Sequence, residues 1–276
     1  METEKLTAEK IIQGDRLKIS DDTNFLLETS FEDLQQGAQI IQKHFCGNHI
    51  DLCTIINGKS GRCGENCKYC AQSACHKTGI EEYDFLPAEK ILQVGLENEK
   101  AGVNRFSIVT SGRALSGKDF DKAIEAYQLL RDKLKIDLCA SHGILNAEEF
   151  KRLRAVGVTS YHHNIETSRR FFPQICTSHT FDDRIKTIRL AQKTGLNVCS
   201  GGIIGMGETW QDIIEMAFEL AELNIQSIPI NALMAVKGTA LENLSPLKPE
   251  ERRKRIFAWS KCLNYRKYAD NFRDNH

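Results

Sequence analysis

From residue 51 onward, short apolar runs alternate with amphipathic segments. The runs are DLCTIIN (51–57), RFSIVT (105–110), IDLCAS (136–141), TSYHHN (159–164), LNVCSGGIIG (196–205) and SIPINAL (227–233). Between and after them, near 87–101, 119–134, 146–156, 181–194, 209–223 and 248–262, apolar residues return at three- and four-residue steps. That is the period of a helix with one buried face. Strand and helix in alternation predict a parallel sheet. Six such units without a linker predict an α/β fold, a (βα) TIM-type barrel, partial, with six strands evident. Asn146 followed by Glu149, and Thr209 followed by Asp212, predict helix starts with an acid in the first turn. Residues 1–47 have helical spacing and no strand pattern, so they predict an N-terminal helical extension to a core at 48–257. Residues 258–276 are polar and aromatic, a divergent tail without the apolar run of a seventh or eighth strand.

Composition narrows the function classes. The 276 residues are 41% hydrophobic and 27% charged, an ordinary globular balance. Lys+Arg and Asp+Glu are equal at 37, which predicts no nucleic-acid partner and no anionic membrane surface. No stretch approaches the ~18 apolar residues of a membrane span. METEKLTAEKII is charged and has no apolar signal core, so a reducing, cytoplasmic location is expected. There, ten cysteines point to metal ligation or catalysis rather than disulfides.

Three of the ten stand in SGRCGENCKYCAQS: Cys63, Cys67 and Cys70 at C-x3-C-x2-C spacing, with Tyr69 before the last. A structural zinc site needs four closed ligands, and the fourth would have to come from Cys53, Cys75 or His76. A redox C-x-x-C pair leaves Cys63 over. A [4Fe–4S] cluster on three thiolates leaves one iron open for a substrate or cofactor. This spacing after the first strand of a βα barrel resembles the radical S-adenosylmethionine (SAM) enzymes. In them the open iron chelates the methionine end of SAM, and one electron cleaves the C–S bond to give a 5′-deoxyadenosyl radical.

The stretches INGKSGRCGENCKYCAQS, YHHNIETS, CTSHTFDDRIKTI, NVCSGGIIGMGET and PINALMAVKGTALENLSPLKPEE resemble, more narrowly, the biotin synthase family, from about residue 20 to about 257. The resemblance implies sulfur insertion into dethiobiotin. It implies a [4Fe–4S] cluster, SAM and an auxiliary iron–sulfur cluster as sulfur source, [2Fe–2S] or another type. It also implies a flavodoxin- or ferredoxin-type electron donor and a homodimer. On matching positions, Tyr69, Glu166, Arg184, Gly202 and Ile204 would bind SAM, with Glu166 on the ribose hydroxyls and Arg184 on the carboxylate. Asn164, Asn231 and Lys59 would face dethiobiotin.

The auxiliary site is where the chain departs from the family pattern. Cys139 and Cys199 match two expected ligands, Ser107 stands where a third cysteine is expected, and the expected arginine segment is absent. Cys176 is an extra cysteine after strand 4, and Cys139, Cys176 and Cys199 are one possible three-thiolate set. Two readings stay open: a subtype with different auxiliary ligands, or a C-terminally truncated, inactive relative. A third is another radical SAM enzyme acting on a related small molecule. Cys53 reads as packing, and His142, His162, His163 and His179 fall near the barrel mouth.

Overall fold

The computed structural model describes residues 8–225 and 227–262. Three N-terminal helices, α1 (Ala8–Gln13), α2 (Phe25–Glu28) and α3 (Phe31–Cys46), precede β1 (Cys53–Lys59). Strand and helix then alternate: α4 (Ala88–Lys100), β2 (Arg105–Thr110), α5 (Gly117–Lys133), β3 (Asp137–Ser141), α6 (Ala147–Ala155) and β4 (Val158–His162). The short α7 (Phe172–Ile175) comes next, then α8 (Phe181–Lys193), β5 (Asn197–Cys199), β6 (Gly202–Ile204), α9 (Trp210–Glu222), β7 (Ile230–Ala232) and α10 (Pro249–Cys262).

β1 to β5 form one parallel sheet in sequence order, and β6 pairs with β7, also in parallel. Single bridges, Cys199↔Ser227 and Glu166↔Gly202, carry the wall from the first sheet to the second. Each of the six expected runs carries a strand. The run 196–205 is two short strands, giving seven strands among the described residues where six were expected. The cause is local: a side chain on Gly201 would lie 1.9 Å from the carbonyl oxygen of Pro229, so the chains pinch together there.

Helix starts are set by side-chain caps. Asn146 accepts from the backbone N–H groups of Glu148 and Glu149, and the Glu149 carboxylate returns to the Asn146 N–H. Reciprocal boxes also open α8 at Thr180 with Asp183 and α9 at Thr209 with Asp212. Each cap stabilises its helix by about 1 kcal/mol and fixes where the first turn begins. At α8 this matters for chemistry, because Arg184 follows one turn later.

The helices bury Phe120, Tyr127, Phe150, Ile188 and Ile213 against the outer face of the strands. α10 packs on α3 and α9, and it buries Trp259, whose indole N–H donates to the carbonyl of Ile213 at 2.6 Å. The tail boundary expected at 258 falls inside this helix, and residues 263–276 lie outside the described residues. No described helix is long and apolar enough to cross a membrane.

Candidate functional site

At the C-terminal ends of β2, β3 and β4 a cavity of about 250 Å³ opens, lined among others by Cys63, Cys67, Cys70, Tyr69, Glu166 and Arg184. Strand ends in a βα fold leave their loops free to carry chemistry while the strands hold them in place. The cysteine loop is fixed by its own backbone. Cys63 N–H donates to the Gln72 carbonyl, Cys70 N–H to that of Cys67, and Ala74 N–H to that of Cys63. Cys63 and Cys67 are buried, Cys70 is half-buried, and all three are free thiols. They do not converge within the 4.8 Å that would let one ion hold them. Soft donors held apart on a tight loop fit a multi-iron cluster better than a mononuclear metal.

Opposite the loop, Glu166 sits at a backbone φ of +71°, a left-handed conformation that turns its carboxylate inward. The turn is clamped: Glu166 N–H donates to Gly201 O at 3.1 Å, and Glu166 O accepts from Ile203 N–H at 2.8 Å. Asn164 Oδ1 accepts from Gly201 N–H at 2.9 Å. Arg184 reaches over from α8 and donates through Nη1 to Asn164 O at 2.7 Å and, more distantly, to Glu166 Oε1 at 3.4 Å. Its Nε donates to His179 Nε2 at 3.0 Å. His179 must then carry its proton on Nδ1, which donates to Glu65 in a short contact. Burial opposes ionisation of Glu65, but hydrogen bonds from Ser178 and His179 outweigh it and hold the carboxyl below its usual range. A buried chain, Glu65–His179–Arg184–Glu166, thus runs along one wall.

Cys176 belongs to this wall. Its sulfur lies 3.6 Å from Cys67 Sγ and 3.3 Å from His179 Nδ1. Cys67 Sγ donates to Cys176 Sγ, and that bond holds the Cys176 thiol down and pushes Cys67 up, with burial adding to the latter. Of the expected set Cys139, Cys176 and Cys199, the structure sets Cys176 apart: the loop after β4 lays it beside Cys67.

Cys139 and Cys199 do face one another, with Ser107 beside Cys139 and its hydroxyl buried without a well-formed partner. Burial first, then Cys199, push the Cys139 thiol up to about 12, and burial pushes Cys199 up as well. His162 connects the two regions. It lines the cavity and brings Nδ1 to 3.3 Å from Cys199 Sγ, and burial keeps its ring neutral. No spacing in the sequence singled it out from His163 and His179, which also line the cavity. His142 lies beneath the mouth rather than on it, fully buried between Thr110 and Tyr127 at 3.0 Å from each. Burial lowers its pKa to about 3.

Other expected residues stand back from the cavity. Lys59 is paired with Asp119 at 2.7 Å. Gly202 and Ile204 are buried on β6, where Gly202 supports the Glu166 turn from behind. Asn231 is exposed on β7, opposite Ile203.

Comparison with known proteins gives this geometry a family. Residues 59–220 match the radical SAM superfamily. The biotin synthase of Clostridium beijerinckii is 59% identical over 241 residues, 87% of this chain and 76% of that protein. That of Alkaliphilus metalliredigens is 55% identical over 91% of this chain and 79% of that protein. The chain belongs to the biotin synthase family. Among solved structures, methylornithine synthase superposes with a TM-score of 0.76 at 19% identity, over 93% of this chain and 84% of that one. At that identity the likeness speaks for the fold alone. Biotin synthase relatives and the barrel together make this chain a radical SAM enzyme with a [4Fe–4S] cluster and SAM.

Proposed function

We propose that this enzyme inserts sulfur into dethiobiotin to form biotin, with the sulfur drawn from an auxiliary iron–sulfur cluster. The observation that carries the reading is the meeting of the Cys63–Cys67–Cys70 loop, Glu166 and Arg184 on one cavity, in a chain 59% identical to a biotin synthase. Bound to the three thiolates, a [4Fe–4S] cluster with SAM supplies one-electron cleavage and radical hydrogen abstraction.

The chain's own residues bind and orient. Arg184, held from three sides, offers its guanidinium to the SAM carboxylate. The inward carboxylate of Glu166 accepts from the ribose hydroxyls, and Tyr69 closes the cavity beside Cys70. Asn164 has its oxygen committed to Gly201 and donates from Nδ2 to Glu166 Oε2 at 3.4 Å, which leaves the second Nδ2 hydrogen to donate to the ureido oxygen of dethiobiotin. Neutral His162 stands between that position and Cys199. We assign Asn231 and Lys59 to the substrate side and Gly202 and Ile204 to the adenine side, as the resemblance implies. A homodimer, a flavodoxin- or ferredoxin-type donor and a cytoplasmic location complete the proposal.

The test is anaerobic reconstitution with iron and sulfide, followed by SAM, a reductant and dethiobiotin, with biotin and 5′-deoxyadenosine measured by mass spectrometry. Both products are expected. 5′-Deoxyadenosine without biotin overturns the reaction assigned here and favours radical chemistry on a different small molecule.

A further inference from the structure

Cys67 has a second set of neighbours besides the cysteines of its own loop. Among the described residues, the donor atoms of Cys67, Cys176 and His179 lie within 4.8 Å of one another, and all three residues are buried. Their separations are close to those inside a coordination sphere. A tetrahedral ion with sulfur at about 2.3 Å and nitrogen at about 2.05 Å sets two sulfurs about 3.8 Å apart, and sulfur and nitrogen about 3.6 Å apart. Cys67 Sγ and Cys176 Sγ are 3.6 Å apart, and Cys176 Sγ lies 3.3 Å from His179 Nδ1 and 3.9 Å from Nε2. Cys63 and Cys70 do not enter this trio.

The surroundings suit an ion. His179 Nδ1 donates to Glu65, so Nε2 carries the lone pair, and a carboxylate behind a ligating histidine is a common outer partner. Arg184 Nε occupies that lone pair here. An ion on Nε2 displaces this one bond, while Arg184 Nη1 keeps Asn164 O and Glu166 Oε1. Charge balances in the buried space: two thiolates neutralise a divalent ion, and Glu65 faces Arg184 across His179. Thiolate and imidazole favour zinc over magnesium or calcium, and zinc binds such donors more tightly than ferrous iron does. Cys67 and His179 line the cavity, which gives a way in from solvent and room for a water as fourth ligand.

We propose that Cys67, Cys176 and His179 form a site for one zinc ion in the chain that has not yet received its [4Fe–4S] cluster. Each thiol gives its proton to solvent as its sulfur binds, and nothing is oxidised or reduced. The ion and the cluster exclude one another, because both need Cys67. The ligand set rests on the distances between the three side chains, whereas the exclusion rests on the reading that Cys63, Cys67 and Cys70 hold the cluster. Neither depends on which small molecule the radical attacks. Bound zinc holds Cys67 away from incoming iron and sulfide, so Cys176 and His179 make cluster assembly in this chain sensitive to zinc.

The experiment uses the iron-free chain, kept reduced by a phosphine under argon. Cobalt(II), the coloured stand-in for zinc, is titrated in and then displaced with zinc. The parent should show the intense visible bands of tetrahedral cobalt and a thiolate charge-transfer band, both lost when zinc is added. Cys176→Ala and His179→Ala should each weaken binding at least about tenfold, the low end of what losing even an outer partner costs a metal site. Cys63→Ala/Cys70→Ala should leave bands and affinity unchanged. Circular dichroism of the metal-free chains checks folding. Should Cys176→Ala fail to fold, Cys176→Ser keeps the size without the soft donor and should show the same loss. One equivalent of zinc, added before ferrous iron and sulfide, should slow cluster formation in the parent and not in the Cys176 variant. A parent without tetrahedral cobalt, or a folded Cys176 variant with affinity unchanged, overturns the site. Loss of the bands in the Cys63→Ala/Cys70→Ala chain overturns it too, because the ion would then sit on the loop cysteines. Bands as expected, with cluster formation indifferent to zinc, overturn the exclusion and leave the ion site standing. Failure to make biotin bears on the proposed reaction and on neither of these.

Discussion

Replacing Gly202 by alanine should damage fold and SAM binding together. The added Cβ would lie 2.4 Å from Met216 Sδ and 2.5 Å from Glu166 O, where ordinary contact begins near 3.4 Å. Met216 is fully buried and has little room to yield. The Glu166 carbonyl would then have to retreat by about 0.9 Å, taking with it the 2.8 Å bond it accepts from Ile203. Overpacking of this kind costs about 1–3 kcal/mol, and the weakened hydrogen bond about 1 kcal/mol more. At ~2–4 °C per kcal/mol for a domain near this size, the melting temperature should fall by roughly 5–15 °C. Glu166 is held inward by the same carbonyl, so SAM retention should fall in parallel. The assay is a circular-dichroism melt of the iron-free chain, with equilibrium dialysis of SAM on the reconstituted chain. Gly64→Ala is the control for the melt, because its Cβ meets nothing within 4 Å. A melting temperature within about 2 °C of the parent, with SAM retention unchanged, would refute the reasoning.

Trp259→Ala should cost about 3–5 kcal/mol, because the buried indole anchors α10 to α9. Trp259→Phe should cost visibly less in the same urea titration. Glu65→Gln should flatten the acid limb of stability. Its folded carboxyl is held below the ordinary 4.5, so the stability it contributes is present above that value and is lost as pH falls through the depressed one. Melting temperatures of the parent should therefore drop more steeply below about pH 5 than those of the variant. Arg184→Lys keeps the charge but loses the fork that spans His179, Asn164 and Glu166. SAM should bind more weakly by about 1.5–3 kcal/mol, ~10- to 150-fold in dissociation constant by dialysis.

Periodicity made the alternating order of the wall legible because each strand and helix has one buried face. The break at Ser200–Gly201 was not legible, since what divides the run is the carbonyl of Pro229, distant in sequence. The Cys63–Cys70 loop was fully legible, being local. The position of Cys176 beside Cys67 was not legible, because nothing in a linear spacing says onto which loop the segment after β4 folds back. His142 illustrates the converse, as a histidine near the mouth in sequence that the fold spends on holding Thr110 and Tyr127.

The order β1-β2-β3-β4-β5 has a consequence for assembly during synthesis. Every pairing in that sheet joins strands that are neighbours along the chain, so the wall can be laid down progressively as it leaves the ribosome, N-terminal part first. The Cys63–Cys70 loop is complete early, and β2 can dock beside it at once. Cys139 must wait for Cys199, which is made 60 residues later and belongs to the last strand of that sheet. The two thiol sets therefore mature at different times. Iron delivered to the nascent chain would meet the loop first, and Cys139 and Cys199 would face one another only once β5 has closed against β4.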